Sequence, residues 1–284
     1  MTERRTTSLV TGANTGIGKV TARELARRGD RVILAGRSAE KLQAAVDEIA
    51  AATGNDALEL LLLDLTDLRS VQRAADELRG RCDAIDVLVA NAGVAGQRGL
   101  TAQGFELAFG TNHLGHFLLV TSLLDQLAAA ATPERPARIV IVSSDSHYDA
   151  KDGIDLDAVQ QSTPSITGLP EYAVSKLANV LFAQELCRRL PEEIWVGALH
   201  PGVIASDVWR RVPWPIRPIM TRFMASTDTG AETSVLLATS DEVLPHRGTY
   251  WSVLALKDPS PVATPELAAE LWARSEAWIA DATS

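Results

Sequence analysis

Thr11-Gly12-Ala13-Asn14-Thr15-Gly16-Ile17-Gly18 follows the apolar run Thr7-Ser8-Leu9-Val10 and precedes a helix-like stretch from Val20 to Arg28. A glycine-rich turn between a strand and a helix has a direct physical reading. Glycine permits the tight turn, lets backbone approach a pyrophosphate, and sets that charge at a helix N-terminus. The spacing is Gly-x-x-x-Gly-x-Gly rather than the commoner Gly-x-Gly-x-x-Gly. Alone, such a turn can equally be structural, so its weight depends on what surrounds it.

Outward from it, strand and helix patterns alternate. Further strands are expected at 32–35, 57–63, 86–90, 138–142, 195–199 and 249–253, each an apolar run without polar alternation. Such runs suit a parallel sheet covered on both faces. The first helix should close at Gly29, Ser38 should cap the next, and Thr66 the third, which should end near Gly80. A long helix is expected over 102–130 with a break near Gly110, and Thr264-Pro265 should open the last one. The fold class is therefore α/β: a doubly wound parallel sheet of the Rossmann type, about seven strands with helices on both faces. No linker or repeat divides it, so a single domain spanning 1–284 is expected.

Composition narrows the function. A hydrophobic content of 46% supports a large core, and a net charge of -9 argues against nucleic acid as the main partner. Runs such as Leu60-Leu61-Leu62-Leu63 are too short to span a bilayer, and Met1 to Arg5 lacks the apolar stretch of a signal peptide. Two cysteines, Cys82 and Cys187, imply neither a disulfide framework nor a metal cluster, which fits a reduced, cytoplasmic setting.

Tyr172 and Lys176 share one face of a helix, a turn apart. An ammonium beside a phenol favours the phenolate, and a phenol so tuned can exchange a proton with a carbonyl or alcohol. The end of the second strand, Ala35-Gly36-Arg37-Ser38, carries a cation where a carboxylate would hydrogen-bond the ribose 2′-hydroxyl of NAD. Arg37 can pair with a 2′-phosphate, with Ser38 adding a donor, so NADP(H) is expected over NAD(H). A solvated arginine at a helix start is the plain alternative. His113, His116 and His200 lack the spacing and companions of a metal site, so packing and hydrogen bonding are expected of them, and no metal.

Taken together, Thr11 to Gly18, Asn91-Ala92-Gly93, Ser144, Tyr172-x-x-x-Lys176 and Pro201-Gly202 resemble the short-chain dehydrogenase/reductase family, in its order, as far as about Tyr250. Gly12 to Lys19, Asn112-His113-Leu114-Gly115-His116-Phe117, Ser175 to Asn179 and His200-Pro201-Gly202 resemble its retinol dehydrogenase-like branch. The resemblance implies an oxidoreductase interconverting a ketone or aldehyde and an alcohol. Tyr172 would be its general acid or base, and Lys176 would lower the phenol's pKa and hold the nicotinamide ribose. Ser144, rather than its neighbour Ser143, would orient the substrate oxygen. Asn112 would support a proton relay from Lys176 to solvent.

By the same resemblance Gly12, Asn14, Thr15, Gly16, Ile17 and Gly18 bind the cofactor. Asp64 and Leu65 would hold the adenine, and Asn91, Ala92 and Gly93 would leave room for its ribose. Pro201, Gly202, Val203, Ile204 and Ser206 would meet the nicotinamide amide. Asp64 as a simple turn residue is the alternative there. The apolar, proline-broken stretch at about 205–228 corresponds to a substrate lid, with Trp209 and Trp214 as candidate contacts and His147 a third. That points to an apolar or aromatic substrate. The branch often carries an N-terminal membrane anchor, whereas here the first strand begins near Thr7, so no anchor is expected. A homodimer or homotetramer is compatible with the family. A non-catalytic NADP(H)-binding sensor or scaffold is the competing reading; it would be expected to lack an intact Asn112, Ser144, Tyr172 and Lys176.

Overall fold

The apolar runs pair into one sheet in a computed structural model that describes residues 4–202 and 226–283. Its strands are β1 (Thr7–Thr11), β2 (Arg31–Gly36), β3 (Leu58–Leu62), β4 (Val87–Ala90), β5 (Ala137–Val142), β6 (Ile194–His200), β7 (Tyr250–Ser252) and β8 (Ala255–Lys257). Their order is β3-β2-β1-β4-β5-β6-β7-β8. Neighbours are parallel except β7 and β8, which are antiparallel.

The eighth strand corrects the expected count of about seven. Ala255–Lys257 is three residues long and exposed throughout, so it carries no apolar pattern. It folds back through Val253 and Leu254, whose φ angles of 47° and 66° are left-handed, without the Asn or Gly that normally marks such a turn.

Side chains alternate across each strand and feed two cores. Leu9, Ile33, Leu88, Ile139 and Val196 face one side, where they meet α3 (Leu68–Arg81), α5 (Gly115–Ser122), α7 (Leu169–Arg189) and α9 (Pro265–Thr283). Val10, Leu34, Val89 and Val140 face the other, covered by α1 (Gly16–Arg27), α2 (Ala39–Thr53) and α8 (Thr227–Thr239).

Caps follow local chemistry. Ser38 Oγ accepts from Lys41 N at 3.4 Å and Thr264 Oγ1 from Leu267 N at 3.3 Å, as their positions imply. The third cap is Asp67, not Thr66: its carboxylate accepts from Arg69 N at 3.0 Å, while the Thr66 hydroxyl turns to Asp64. α1 starts at Gly16 rather than Val20, inside the glycine turn itself.

The expected helix over 102–130 is several pieces. α4 (Leu107–Phe109) leads into a π-helical turn at Gly110–Leu114, then α5, and after a break at Leu123, α6 (Leu124–Ala130). Residues 101–106 instead make a turn in which Thr101 Oγ1 accepts from Phe105 N. Gly110 is required beneath it, since a Cβ there would lie 2.4 Å from Thr101 Cγ2.

β1 lies between β2 and β4, so the chain runs outward one way from β1 and then returns to build the other half. The crevice at that reversal, at the C-terminal ends of the strands, is where open α/β sheets bind ligands. Among the described residues no helix is long and apolar enough to cross a membrane.

Candidate active site

The glycine turn sits at this crevice, and its glycines do different things. Gly12 N donates to Ala35 O at 2.8 Å, with a left-handed φ of 67°. A Cβ on Gly18 would come within 2.4 Å of Asn91 Nδ2 and 2.5 Å of Gly12 O, so close packing excludes any side chain there. Gly16, also left-handed, faces open space: nothing lies within 4 Å of the position its Cβ would take. Thr15 forms the extended N-cap of α1, Ile17 is half-buried, and Asn14 Oδ1 would lie 3.2 Å from a Cβ on Gly36. These residues surround the N-terminus of α1, with open space at Gly16, and a helix N-terminus is where a pyrophosphate is received.

Thr11 holds the turn against β4, a role that sequence reading missed. Its Oγ1 accepts from Asn91 N and Ala92 N, both at 2.9 Å, while Asn91 Nδ2 donates to Thr11 O at 2.8 Å. The Asn91 amide is thus turned into the sheet; it braces the cradle rather than offering itself to a ligand. His116 Nδ1 lies 3.0 Å from Asn112 O, which can only accept, so the proton sits on Nδ1 and Nε2 accepts from Thr11 Oγ1 at 2.9 Å. Burial holds His116 neutral, with its pKa down at about 4.

At the end of β2, Arg37 is exposed and forms no ion pair among the described residues, beside the half-buried Ser38. Asp64 Oδ1 accepts from Thr66 N at 3.0 Å and Thr66 Oγ1 at 2.8 Å, so one oxygen serves the turn. Leu65 is buried, and its carbonyl packs against Gly115, where a Cβ would meet it at 2.7 Å. Ala92 and Gly93 continue from Asn91, and a Cβ on Gly93 would lie 3.6 Å from Lys176 Nζ. Pro201 and Gly202 follow β6 at the same edge. Val203, Ile204, Ser206, Trp209 and Trp214, and the expected lid at about 205–228 as far as Ala225, lie outside the described residues.

β5 ends in Ser143 and Ser144, and the structure separates them. Ser143 Oγ donates to Lys176 O at 2.7 Å and is committed to the backbone of α7. Ser144 caps a short 3-10 turn over Asp145–Asp149, its Oγ 3.2 Å from Ser146 Oγ, and lies close enough to the Tyr172 phenol to favour its ionised form. Lys176 is buried, with Nζ 3.0 Å from Val142 O and 5.5 Å from the centre of the Tyr172 ring. Asn179, also missed, shares the same carbonyl at 3.1 Å.

The expected direction of the phenol's shift is corrected here. Burial raises the Tyr172 pKa, nearby Ser144 only partly opposing it, and Lys176 makes no comparable contribution. Burial acts on Lys176 as well, lowering its pKa to about 8.

Asn112 stands in the π-turn. Its amide donates to Val94 O and to Ser175 Oγ, both at 2.9 Å, and its Oδ1 accepts from Val94 N at 2.8 Å. Ser175 Oγ donates onward to Tyr172 O at 2.7 Å, which ties the segment after β4 to the first turns of α7.

His147 does not face a substrate. It is fully buried, with Nδ1 2.8 Å from Ser144 O and Nε2 accepting from Ser260 N at 3.0 Å, so both ring nitrogens are consumed. His113 bonds Ser275 Oγ at 3.0 Å among Phe109, Phe117 and Phe182. Among the described residues no group of three or more His, Cys, Asp or Glu stands together in a way that could hold a metal.

Comparison with known proteins agrees with this architecture. The family model described as short chain dehydrogenase matches residues 6–153. Retinol dehydrogenase 13 of Homo sapiens is 41% identical over 280 residues, covering 95% of this chain and 83% of its own. A solved protein from Mycobacterium paratuberculosis superposes with a TM-score of 0.76 at 35% identity, covering 97% of this chain and 93% of its own. A short chain dehydrogenase from Escherichia coli CFT073, solved with NADPH, shares the fold at a TM-score of 0.68 and 22% identity, covering 88% and 97%.

Proposed function

The chain belongs to the short-chain dehydrogenase family, and from that premise we propose an NADP(H)-dependent oxidoreductase that interconverts a ketone or aldehyde and an alcohol. The observation that carries the proposal is the meeting of Ser144 with the Tyr172 phenol beside buried Lys176, at the strand ends next to the glycine cradle.

Each residue acts through its own chemistry. Because burial raises the Tyr172 pKa, the phenol is protonated at neutral pH and ready to donate to a carbonyl oxygen. Ser144 fixes that oxygen by a second hydrogen bond as negative charge develops on it. Lys176, near its midpoint at pH 8, exchanges protons readily and returns one to Tyr172. Asn112 holds the Val94 backbone and Ser175 in place around this pair and supports the relay toward solvent. A nicotinamide dinucleotide supplies or accepts the hydride. Its pyrophosphate suits the open face at Gly16, and Arg37 suits a 2′-phosphate.

An apolar or aromatic substrate is the class favoured, since the relative sharing 41% identity is named for retinol, an apolar alcohol. We place the enzyme in the cytoplasm as one domain spanning 1–284, in keeping with its free cysteines Cys82 and Cys187.

The test is a panel of ketones and aldehydes of graded size, followed by NADPH absorbance. Tyr172→Phe should lower turnover by about 10²–10⁴-fold while NADPH still binds. Undiminished turnover would refute the assigned acid, and binding without turnover in the unsubstituted protein would favour the sensor reading. Arg37→Asp should raise the KM for NADPH far more than for NADH; equal effects remove Arg37 from that role.

A further inference from the structure

The residue after Ser144 gathers groups from three strands. Asp145 Oδ1 accepts from the Tyr250 hydroxyl at 2.9 Å. Its Oδ2 accepts from Ser252 Oγ at 3.2 Å and Lys257 Nζ at 3.0 Å, with His200 Nε2 3.9 Å away. The ends of β6, β7 and β8 therefore converge on a single carboxylate at the mouth of the candidate site.

A surface ion pair alone would contribute only about 0–1 kcal/mol. This cluster differs in two ways. Tyr250 is only 2% exposed, so Asp145 is anchored from the inside as well as by Lys257. And Lys257 reaches it only because the chain reverses through left-handed Val253 and Leu254, a costly conformation for a β-branched residue. Such strain persists where surrounding contacts over-determine it. Here Leu254 N donates to Thr233 Oγ1 at 3.1 Å, and Lys257 lies over the Tyr148 ring at 4.6 Å.

Asp145 is the first residue of the 3-10 turn that Ser144 caps, with Ser146 N donating to Ser144 Oγ at 3.1 Å. Fixing the carboxylate fixes the turn, and the turn fixes the direction of the Ser144 hydroxyl. We propose that Asp145 is a positioning residue that acts through Ser144, clamped by the β7–β8 hairpin and Lys257. The proposal rests on Ser144 and Tyr172 performing the proton chemistry.

A double-mutant cycle tests it, with the full chain, NADPH and the fastest carbonyl of the panel. Asp145→Ala should lower kcat by about ten- to a hundredfold with little change in NADPH affinity, yet cost less than about twofold more in a Ser144→Ala background. Lys257→Gln should show a smaller loss, and Lys257→Arg should restore it. An unchanged kcat in Asp145→Ala, or the same loss with and without Ser144, overturns the proposal. Asp145→Asn keeps the size of the side chain and replaces the alanine variant should that one fail to fold. If Tyr172→Phe proves fully active, the reading of the reaction falls, and crystal structures then decide this point alone. Ser144 Oγ withdrawn from Tyr172 in Asp145→Ala upholds the positioning role, and Ser144 unmoved rejects it.

Discussion

Lys176 is a cation with no carboxylate beside it among the described residues, only 3% exposed, and its environment lowers its pKa to about 8. A lysine depressed from 10.5 binds protons less well folded than unfolded, so below pH 8 it destabilises the fold, and the penalty fades as pH rises from 8 to 10.5. Lys176→Met should therefore be more stable at pH 7 by about 2–3 kcal/mol, after allowing for the lost bond to Val142 O. Denaturant melts at pH 7 and pH 10 read this directly: a gain at pH 7 that closes at pH 10 is expected, and a destabilised variant would contradict it. The same substitution should abolish turnover, so at this position the stabler chain is the inactive one. Tyr172 and Lys176 were readable as a pair from spacing alone, but that burial would raise one pKa and lower the other was not. Helical periodicity fixes neighbours along one face, whereas desolvation depends on distant chain, the end of β5 at Val142 and the segment at Gly93, packing against them.

Among the elements, the β7–β8 hairpin shows where reading the sequence runs out. The capped helices announced themselves, as at Ser38 and Thr264-Pro265, because a cap acts within three residues of itself. β8 did not, since among the described residues Ala255–Lys257 pairs with β7 alone and is exposed at all three positions. The π-turn at Gly110–Leu114 was legible only as a weakness near Gly110, for i to i+5 closure has no composition of its own. The clamp on Asp145 joins residues 112 positions apart and lay beyond any local signal. The hairpin also carries a prediction. Val253→Asn combined with Leu254→Gly supplies residues that tolerate the left-handed turn, and should raise stability by about 1–2 kcal/mol, or roughly 3–6 °C in Tm. Calorimetry checks it, and an unchanged or lower Tm would mean the turn is not strained.

For the whole molecule, acid should act through buried histidines. His113 and His116 are held neutral by burial, with pKa values of about 3 and 4 against 6.5 unfolded. Folded pKa values below the unfolded one mean full stability above pH 6.5, with stability lost as pH falls below it. At pH 5 each should cost about 2 kcal/mol. Burial lowers His147 and His200 in the same sense, whereas Asp30 and Glu106 are raised and so oppose the loss at lower pH. Melts between pH 7.5 and 5 should show a steep fall that His113→Phe lessens, the aromatic pocket of Phe109, Phe117 and Phe182 accepting the ring. Equal slopes for the two proteins would exclude His113.

The brace between Thr11 and Asn91 spans 80 positions, and it fixes an order of events during synthesis. A growing chain holds every residue of that brace once Gly93 has left the ribosome, while Ser144 and Tyr172 are still unmade. A nascent chain thus holds the residues that join β1 to β4 at the glycine turn before it holds those that would carry out the proposed reaction.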